Sequence, residues 1–133
     1  MRSVLGSVVL AMALSSAALG KVPLREEAHI NGALLSAAVG DEIRKNCPTI
    51  SARYFTFFSE RNKLKRYALD RGYSEAEIEA FIDSKVERER MERLRDAYLR
   101  ANGVVKGDAD SYCRLGRQEI AKGSLTGRLL RSR

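Results

Sequence analysis

Residues 26–48, EEAHINGALLSAAVGDEIRKNCP, decide the fold of this chain. Their apolar side chains lie on opposite sides of a helix, with Ile30 and Leu34 on one face and Val39 on the other. A helix that is apolar all round is usually buried in the middle of a bundle. The residue before a proline avoids the helical conformation, so the helix ends before the final proline of this stretch. The stretch therefore predicts a central helix over residues 26–46.

The chain has two cysteines, Cys47 at the end of that helix and Cys113 far along the sequence. Two thiols without metal-type spacing usually form a bridge in an oxidising compartment. Catalytic redox pairs usually have the spacing C-x-x-C, so these two cysteines favour a structural role. We predict one disulfide that ties the central helix to the last helix and stabilises the fold by about 4 kcal/mol on the chain-entropy model.

Residues 51–71 have the pattern of an amphipathic helix that packs against a core, with Thr49 or Ser51 as its N-cap. The predicted buried stripe consists of Ile50, Tyr54, Phe57, Phe58, Leu64 and Ala68. The opposite face carries the basic residues Arg61, Lys63, Lys65 and Arg66. This helix contains most of the aromatic side chains of the chain, so we expect it to contribute strongly to the core.

A capping box at residues 74–77 starts the next helical segment, and Asn102-Gly103 ends it. The apolar stripe of this segment changes direction, because Ile82 and Met91 point almost oppositely at 100° per residue. The charged residues 84–90 lie between them. We predict two helices or a kink at this point. The alternative is one straight helix whose two ends contact different partners.

Asp108 or Asp110 can cap a last helix from about Ser111 to Lys122. The residues after Gly123 add a turn or two before a frayed tail, and no segment has a strand-like alternation. The sequence therefore predicts an all-α bundle of four or five helices with one disulfide, as a single domain over residues 21–133 with a basic C-terminal tail. The predicted structural residues are Cys47, Cys113, Ile50, Phe57, Phe58, Phe81 and Leu115.

Residues 1–20 have the pattern of a cleaved secretory signal peptide. Arg2 precedes the apolar run Val4–Leu19, and Ala18-Leu19-Gly20 places small side chains where a signal peptidase recognises them. We therefore expect a periplasmic or secreted protein. The alternative is an uncut N-terminal segment that anchors the protein to the inner membrane, although the run is shorter than the roughly 20 residues of a bilayer span.

The chain is basic, with a formal net charge of +7 from 24 Lys and Arg against 17 Asp and Glu. Only Arg2 of these lies in residues 1–20, so residues 21–133 keep 23 basic side chains and a net charge of +6. Export excludes nucleic acid, which leaves an acidic protein or an anionic membrane surface as the partner. The candidate basic binding face consists of Lys63, Lys65, Arg66, Arg128 and Arg131. The alternative for the tail is a solvated segment whose leucines complete the core.

No catalytic or cofactor motif is present in the sequence. His29 is the only histidine and lies near a helix start, where a surface or capping role is usual. One histidine and two cysteines cannot supply the three or four soft ligands of a zinc site. The haem-attachment, phosphate-loop, dinucleotide and G-x-S-x-G patterns are all missing. We therefore expect a protein that is not an enzyme and has no cofactor.

Several short stretches of the chain form a distinctive set. They are N-C-P-T-I at 46–50, K-R-Y-A-L at 65–69, G-Y-S at 72–74, E-I-E-A-F-I at 77–82, Y-L-R-A-N-G at 98–103 and Y-C-R-L-G at 112–116, followed by Gly123-Ser124. Together they resemble a domain-of-unknown-function family of small exported alphaproteobacterial proteins. The resemblance implies no activity. It implies an accessory role near a respiratory membrane complex, because genes of that family often lie among those for NADH–quinone oxidoreductase.

These observations favour a non-enzymatic binding or accessory protein in the periplasm or at the membrane surface. One alternative is a small apolar-ligand carrier that uses the interior around Tyr54, Phe57 and Phe58, for which a structure would contain a pocket of a few hundred Å³. Another is an enzyme of unrecognised type, with a cleft that gathers His29 or paired carboxylates. The sequence contains no indication of the oligomeric state.

Overall fold

The computed structural model describes residues 21–133. The predicted signal peptide lies outside the described residues. Within them the α-helices are α1 (Ala28–Asn46), α2 (Tyr54–Asp70), α3 (Glu75–Asp83), α4 (Lys85–Ala101), α5 (Ala109–Lys122) and the single turn α6 (Leu125–Arg128). A short 3-10 helix (Leu24–Glu26) precedes α1, and two strands, β1 (Ile50–Ala52) and β2 (Leu130–Ser132), pair with each other. The predicted all-α bundle is confirmed, with five longer helices and a small sheet.

The first long helix is the centre of the bundle, as its all-round apolar pattern predicts. Helix α1 contacts α2, α4, α5, α6 and β1. Its buried residues Val39 and Ile43 lie in a main core cluster. The other members of this cluster are Cys47, Ile50, Leu99, Val104, Tyr112, Cys113, Leu115 and Leu130. The predicted burial of Ile50 and Leu115 is therefore confirmed.

The predicted disulfide joins Cys47, directly after α1, to Cys113 in α5. Its Cα atoms are 5.1 Å apart, and both cysteines are buried in the main core cluster. Beside it, a Cβ atom built on Gly116 of α5 would overlap the side chains of Ile50 and Ile43. A glycine at this position therefore lets the core of α1 and β1 approach α5 closely.

A second apolar cluster lies at the other end of α1. It contains the buried residues Leu24, Ile30, Ala68 and Tyr73, and partly buried Leu34, Leu64, Tyr67, Ile78 and Phe81 pack against it. Phe81, which the sequence places in the core, is half-buried here. This cluster holds the second half of α2 and the helix α3 against α1.

The helical segment that begins at the capping box is broken, as the out-of-phase stripe predicts. Ser84 ends α3 and is also the N-cap of α4, since its hydroxyl accepts a hydrogen bond from the backbone N–H of Glu87 at 3.3 Å. Polar bonds then fix α4 on α1. The Arg90 guanidinium donates to the side-chain oxygen of Asn31 at 2.6 Å, and Arg95 lies 3.4 Å from the Glu42 carboxylate.

The prediction of a frayed tail without strands is wrong. Leu130 is buried in the core, and its strand β2 pairs antiparallel with β1, with Ala52 opposite Leu130. The Arg53 Nε atom also donates to the Leu130 carbonyl at 2.9 Å. The prediction that Thr49 or Ser51 caps α2 is also wrong. Thr49 precedes β1, Ser51 lies within it, and α2 begins only after Arg53.

Candidate functional site

Four aromatic side chains at the start of α2, Tyr54, Phe55, Phe57 and Phe58, form what we call the aromatic surface. Their exposed fractions are 61%, 94%, 39% and 52% respectively. The Phe57 and Phe58 rings are in edge-to-face contact, with centroids 5.6 Å apart. A contiguous apolar patch on a small protein usually marks a site of interaction. The aromatic surface is therefore the candidate functional site.

This arrangement corrects the prediction that Tyr54, Phe57 and Phe58 belong to the core. Ile50 and Leu130, one from each strand, fill the space against α1 that the prediction gave to these rings. The strands are short, but they displace the start of α2 outwards. These aromatic residues are in a helix, as their spacing predicts, but they lie on its exposed side.

A shallow groove of about 200 Å³ separates the aromatic surface from α1. Its principal lining residues are Ala37 and Gly40 on one wall, Tyr54, Phe57 and Phe58 on the other, and Leu129 and Leu130 at its floor. The small side chains of α1 leave this space open. Its volume is below the roughly 300–1,000 Å³ of typical small-molecule pockets.

Two arginines lie at the aromatic surface. Arg44 lines the groove, and exposed Arg61 follows Phe57 and Phe58 on the same face of α2 at the helical spacings of four and three. Arg53 and Arg128 instead line a second depression with Thr56, on the opposite side of α2 from the rings. Asp41 lies 2.6 Å from Arg44, whereas Arg61 has no carboxylate within 4 Å among residues 21–133. The surroundings of the aromatic surface are therefore positive.

The carboxylate of Asp41 is held ionised at the rim of the groove. Burial raises its pKa, but hydrogen bonds from Lys45 and Arg44 and the charges of both outweigh burial, so the pKa of Asp41 is below its usual value. Lys45 Nζ lies 2.7 Å from Asp41 Oδ2. Two cations thus share this one carboxylate, and the balance of charge at the rim stays positive.

The structure places the predicted basic face in separate positions. Lys63 and Arg128 meet at the same carboxylate, Glu60, at 3.3 and 3.5 Å. Lys65 lies 3.4 Å from Glu75 of α3, and Arg66 is exposed on α2. Of the five predicted residues, Lys65 shares the face of the rings on α2, whereas Arg128 lies on the side of Thr56 and Glu60, and Arg131 lies in β2 opposite Ser51.

His29 belongs to a cap at the start of α1. Its ring lies 4.3 Å from the Tyr67 ring, and the Tyr67 hydroxyl donates to Glu27 at 3.0 Å. Glu27 accepts from the Ile30 backbone N–H at 2.8 Å, and this bond, together with Tyr67 and the charge of Arg71, lowers the Glu27 pKa despite partial desolvation. Within residues 21–133, no group of three or more His, Cys, Asp or Glu side chains is placed to hold a metal ion.

Glu119 is a buried carboxylate that joins three helices. Its Oε1 accepts from the Tyr98 hydroxyl of α4 at 2.6 Å, and its Oε2 accepts from Ser124, the N-cap of α6. The hydrogen bond to Glu119, with desolvation and the carboxylate charge, raises the pKa of Tyr98 to about 12. A Cβ atom on Gly127 would overlap the Glu119 carbonyl, so α6 packs directly on the backbone of α5. This cluster holds α4, α5 and α6 together.

The sequence contained a signal for the aromatic surface. The run Tyr54-Phe55-Thr56-Phe57-Phe58 covers too much of the helix circumference for one buried face. The prediction that Arg61 and Lys65 lie opposite these rings is wrong, because at 100° per residue both continue the face of Phe57 and Phe58, which is unusual for a core. Phe55 and Arg44 lie outside the predicted stripe and the predicted basic face, so no local pattern marked them.

None of the helices in the described part of the chain is long and apolar enough to cross a membrane. No curated protein and no solved structure matches the chain. The model of one protein family, the family of unknown function DUF5333, matches residues 22–131. Since this match covers almost the whole chain, the protein belongs to the DUF5333 family.

Proposed function

We propose that this protein is an exported, non-enzymatic binding protein that docks on an anionic component of the cell envelope through its aromatic surface. The observation that carries the proposal is the cluster of four exposed aromatic rings, with Arg44 and Arg61 on the same surface. Exposed aromatic side chains and arginines are the groups that contribute most to binding at protein surfaces. The net positive charge of the chain adds long-range attraction to anionic partners.

Two features support export. The N-terminal sequence has the pattern of a signal peptide, and Cys47 and Cys113 form a buried disulfide. Disulfides persist in oxidising compartments such as the periplasm and are rare in the cytoplasm. The bridge joins the end of α1 to α5, so an oxidising compartment stabilises the fold by keeping this bridge formed.

The polar clusters of the structure support a binding role over catalysis. Glu27, His29 and Tyr67 complete a helix cap, and Glu119 joins α4, α5 and α6 through Tyr98 and Ser124. In each cluster the acidic group is satisfied by neighbouring donors of the same chain. None of these groups opens onto the groove beside the aromatic surface.

The groove itself favours a second candidate, a carrier of a small apolar ligand. Tyr54, Phe57 and Phe58 line it, as a carrier function requires. Its volume of about 200 Å³ accommodates only part of a fatty acid or quinone. Titration with a fluorescent fatty acid distinguishes the two functions: a carrier binds with defined stoichiometry, whereas a docking protein shows no saturable binding.

Association with isolated envelopes tests the proposal. The tag belongs in the exposed loop at Val105–Gly107, because the C-terminal strand lies beside the aromatic surface. We expect the protein to sediment with envelopes at low salt and to be released at high salt, and Phe55→Ser to release it at low salt. The matched control is Val86→Ser, at an apolar position on α4 that is 63% exposed and lies outside the aromatic surface.

Two results would contradict this function. One is a protein that stays in the soluble fraction at every salt concentration. The other is equal envelope association of the Phe55→Ser and Val86→Ser variants, which would show that the aromatic surface has no part in docking.

A further inference from the structure

We infer that the anionic component is the lipid bilayer itself, and that the aromatic surface inserts into the headgroup region of an anionic membrane. This inference rests on the proposed function and names its partner. Two properties of the described residues carry it: the exposure of Phe55 outside the groove, and the arginines Arg44 and Arg61 on the same surface.

Only part of the aromatic surface lines the groove, which favours a membrane over a protein partner. Phe55 is 94% exposed and does not line the groove, so a peptide or side chain seated in the groove would leave it in water. At 100° per residue the four rings cover about 160° of the circumference of α2. A deformable headgroup layer can contact all of these rings at once, and aromatic side chains favour this depth of the bilayer.

The arginines around the rings complement lipid phosphates. Arg61 has no carboxylate within 4 Å among residues 21–133, and the guanidinium group of Arg44 shares a single carboxylate, Asp41, with Lys45. A guanidinium group bonds phosphate oxygens in a bidentate manner. Apolar insertion and electrostatic attraction together are the two signals that stable attachment to a membrane surface requires.

The aromatic surface and Lys21, the first described residue, lie at opposite ends of α2. Lys21 donates to the Gly72 carbonyl at 2.9 Å and to Glu77 at 2.7 Å, beyond the last turn of α2. The 17 residues of this helix separate the two regions by about 25 Å. Attachment through the aromatic surface is therefore separate from any attachment through residues 1–20, and single substitutions can distinguish them.

A tryptophan probe tests insertion directly, because the chain contains no tryptophan. We expect the emission of Phe55→Trp to shift to shorter wavelength with vesicles of phosphatidylcholine and phosphatidylglycerol, and to stay unchanged with phosphatidylcholine alone. The control Val86→Trp stays unchanged with both. An unshifted Phe55→Trp spectrum, or the same shift for both positions, overturns the inference.

Co-sedimentation with the same anionic vesicles measures the two contributions. We expect Phe55→Ser to bind about tenfold more weakly, since an inserted phenyl ring is lost. Arg61→Gln should bind about fivefold more weakly and show a smaller salt dependence. The controls Val86→Ser and Arg88→Gln lie on α4 and should bind like the unmodified protein. Because all four positions are exposed, the variants keep the fold, which circular dichroism checks.

Protein-free vesicles and envelopes together separate this inference from the proposed function. Binding to both, with the same loss in Phe55→Ser, supports the membrane as partner. Binding to envelopes but not to vesicles, abolished when the envelopes are treated with protease, overturns the inference and leaves an acidic protein as the docking partner. Binding to neither overturns the inference and the proposed function together.

Discussion

Leu130 and Phe58 line the same groove, but they belong to two different regions of the molecule. Leu130 is 1% exposed and lies in the main core cluster beside the disulfide, whereas Phe58 is 52% exposed on the aromatic surface. The Leu130 carbonyl also accepts a hydrogen bond from Arg53, next to the start of α2. The core is therefore in direct contact with the start of α2, but it does not cover the rings of the aromatic surface, which stay in solvent.

This contrast shows that side-chain hydrophobicity does not by itself decide burial. Both residues are apolar, and phenylalanine is the larger of the two, yet the smaller one completes the core. A disulfide, a strand pair and a glycine at the helix contact fix the core, while no element of residues 21–133 covers Tyr54, Phe55 and Phe58. We therefore expect substitutions in the two regions to have opposite consequences, for stability in the core and for docking on the surface.

The largest effect should come from removal of the disulfide. The bridge closes a sequence separation of 66 residues, so the double variant Cys47→Ala with Cys113→Ala should lose about 4 kcal/mol of unfolding free energy. Urea denaturation with and without a reducing agent measures this loss. If the reduced and oxidised proteins have the same midpoint, the core does not depend on the bridge.

A matched pair of glycine substitutions sharpens the comparison. Gly116→Ala should lower the unfolding free energy by about 1–2 kcal/mol, because its Cβ atom overlaps Ile50 and Ile43. Gly32→Ala, in α1 with no atom within 4 Å of its Cβ, should raise it by about 0.5–1 kcal/mol. Urea denaturation of both variants provides the comparison. A stabilising effect at both positions would contradict the close packing of α5.

Removal of the Tyr98 hydroxyl should have an intermediate effect. Tyr98→Phe leaves the buried Glu119 carboxylate with one donor fewer, which should cost about 1–2 kcal/mol. The folded-state pKa of Tyr98 is raised to about 12 from 10, so its stabilisation is complete below pH 10 and is lost as the pH rises towards 12. Thermal unfolding at neutral and alkaline pH should therefore show a smaller alkaline loss in Tyr98→Phe than in the unmodified protein.

The smallest effect on stability should come from the aromatic surface. Phe58→Ser removes a ring that is half in solvent, so the unfolding free energy should change by less than about 0.5 kcal/mol. Envelope association of the same variant should weaken clearly. A loss of stability as large as that of Gly116→Ala would place Phe58 in the core and remove the contrast between the two regions.

Much of the fold could be predicted because its signals are local. The capping box at Ser74 and Glu77, the break at Ser84 and the Asp108 cap each act within a few residues, and the structure contains all three. The pairing of Cys47 with Cys113 was predictable because the chain has no other cysteine. The aromatic surface was not predicted, because its rings were assigned to the core.

The sequence by itself determined the helices, the caps of α3 and α5 and the central position of α1, because helical periodicity and capping depend on neighbouring residues. Only the tertiary structure decided which apolar side chains remain outside. That outcome depends on the pairing of Ile50–Ala52 with Leu130–Ser132, two segments about 80 residues apart whose local patterns give no strand signal. Once these strands fill the space against α1, the start of α2 has no core to join, and its four aromatic rings face the surroundings.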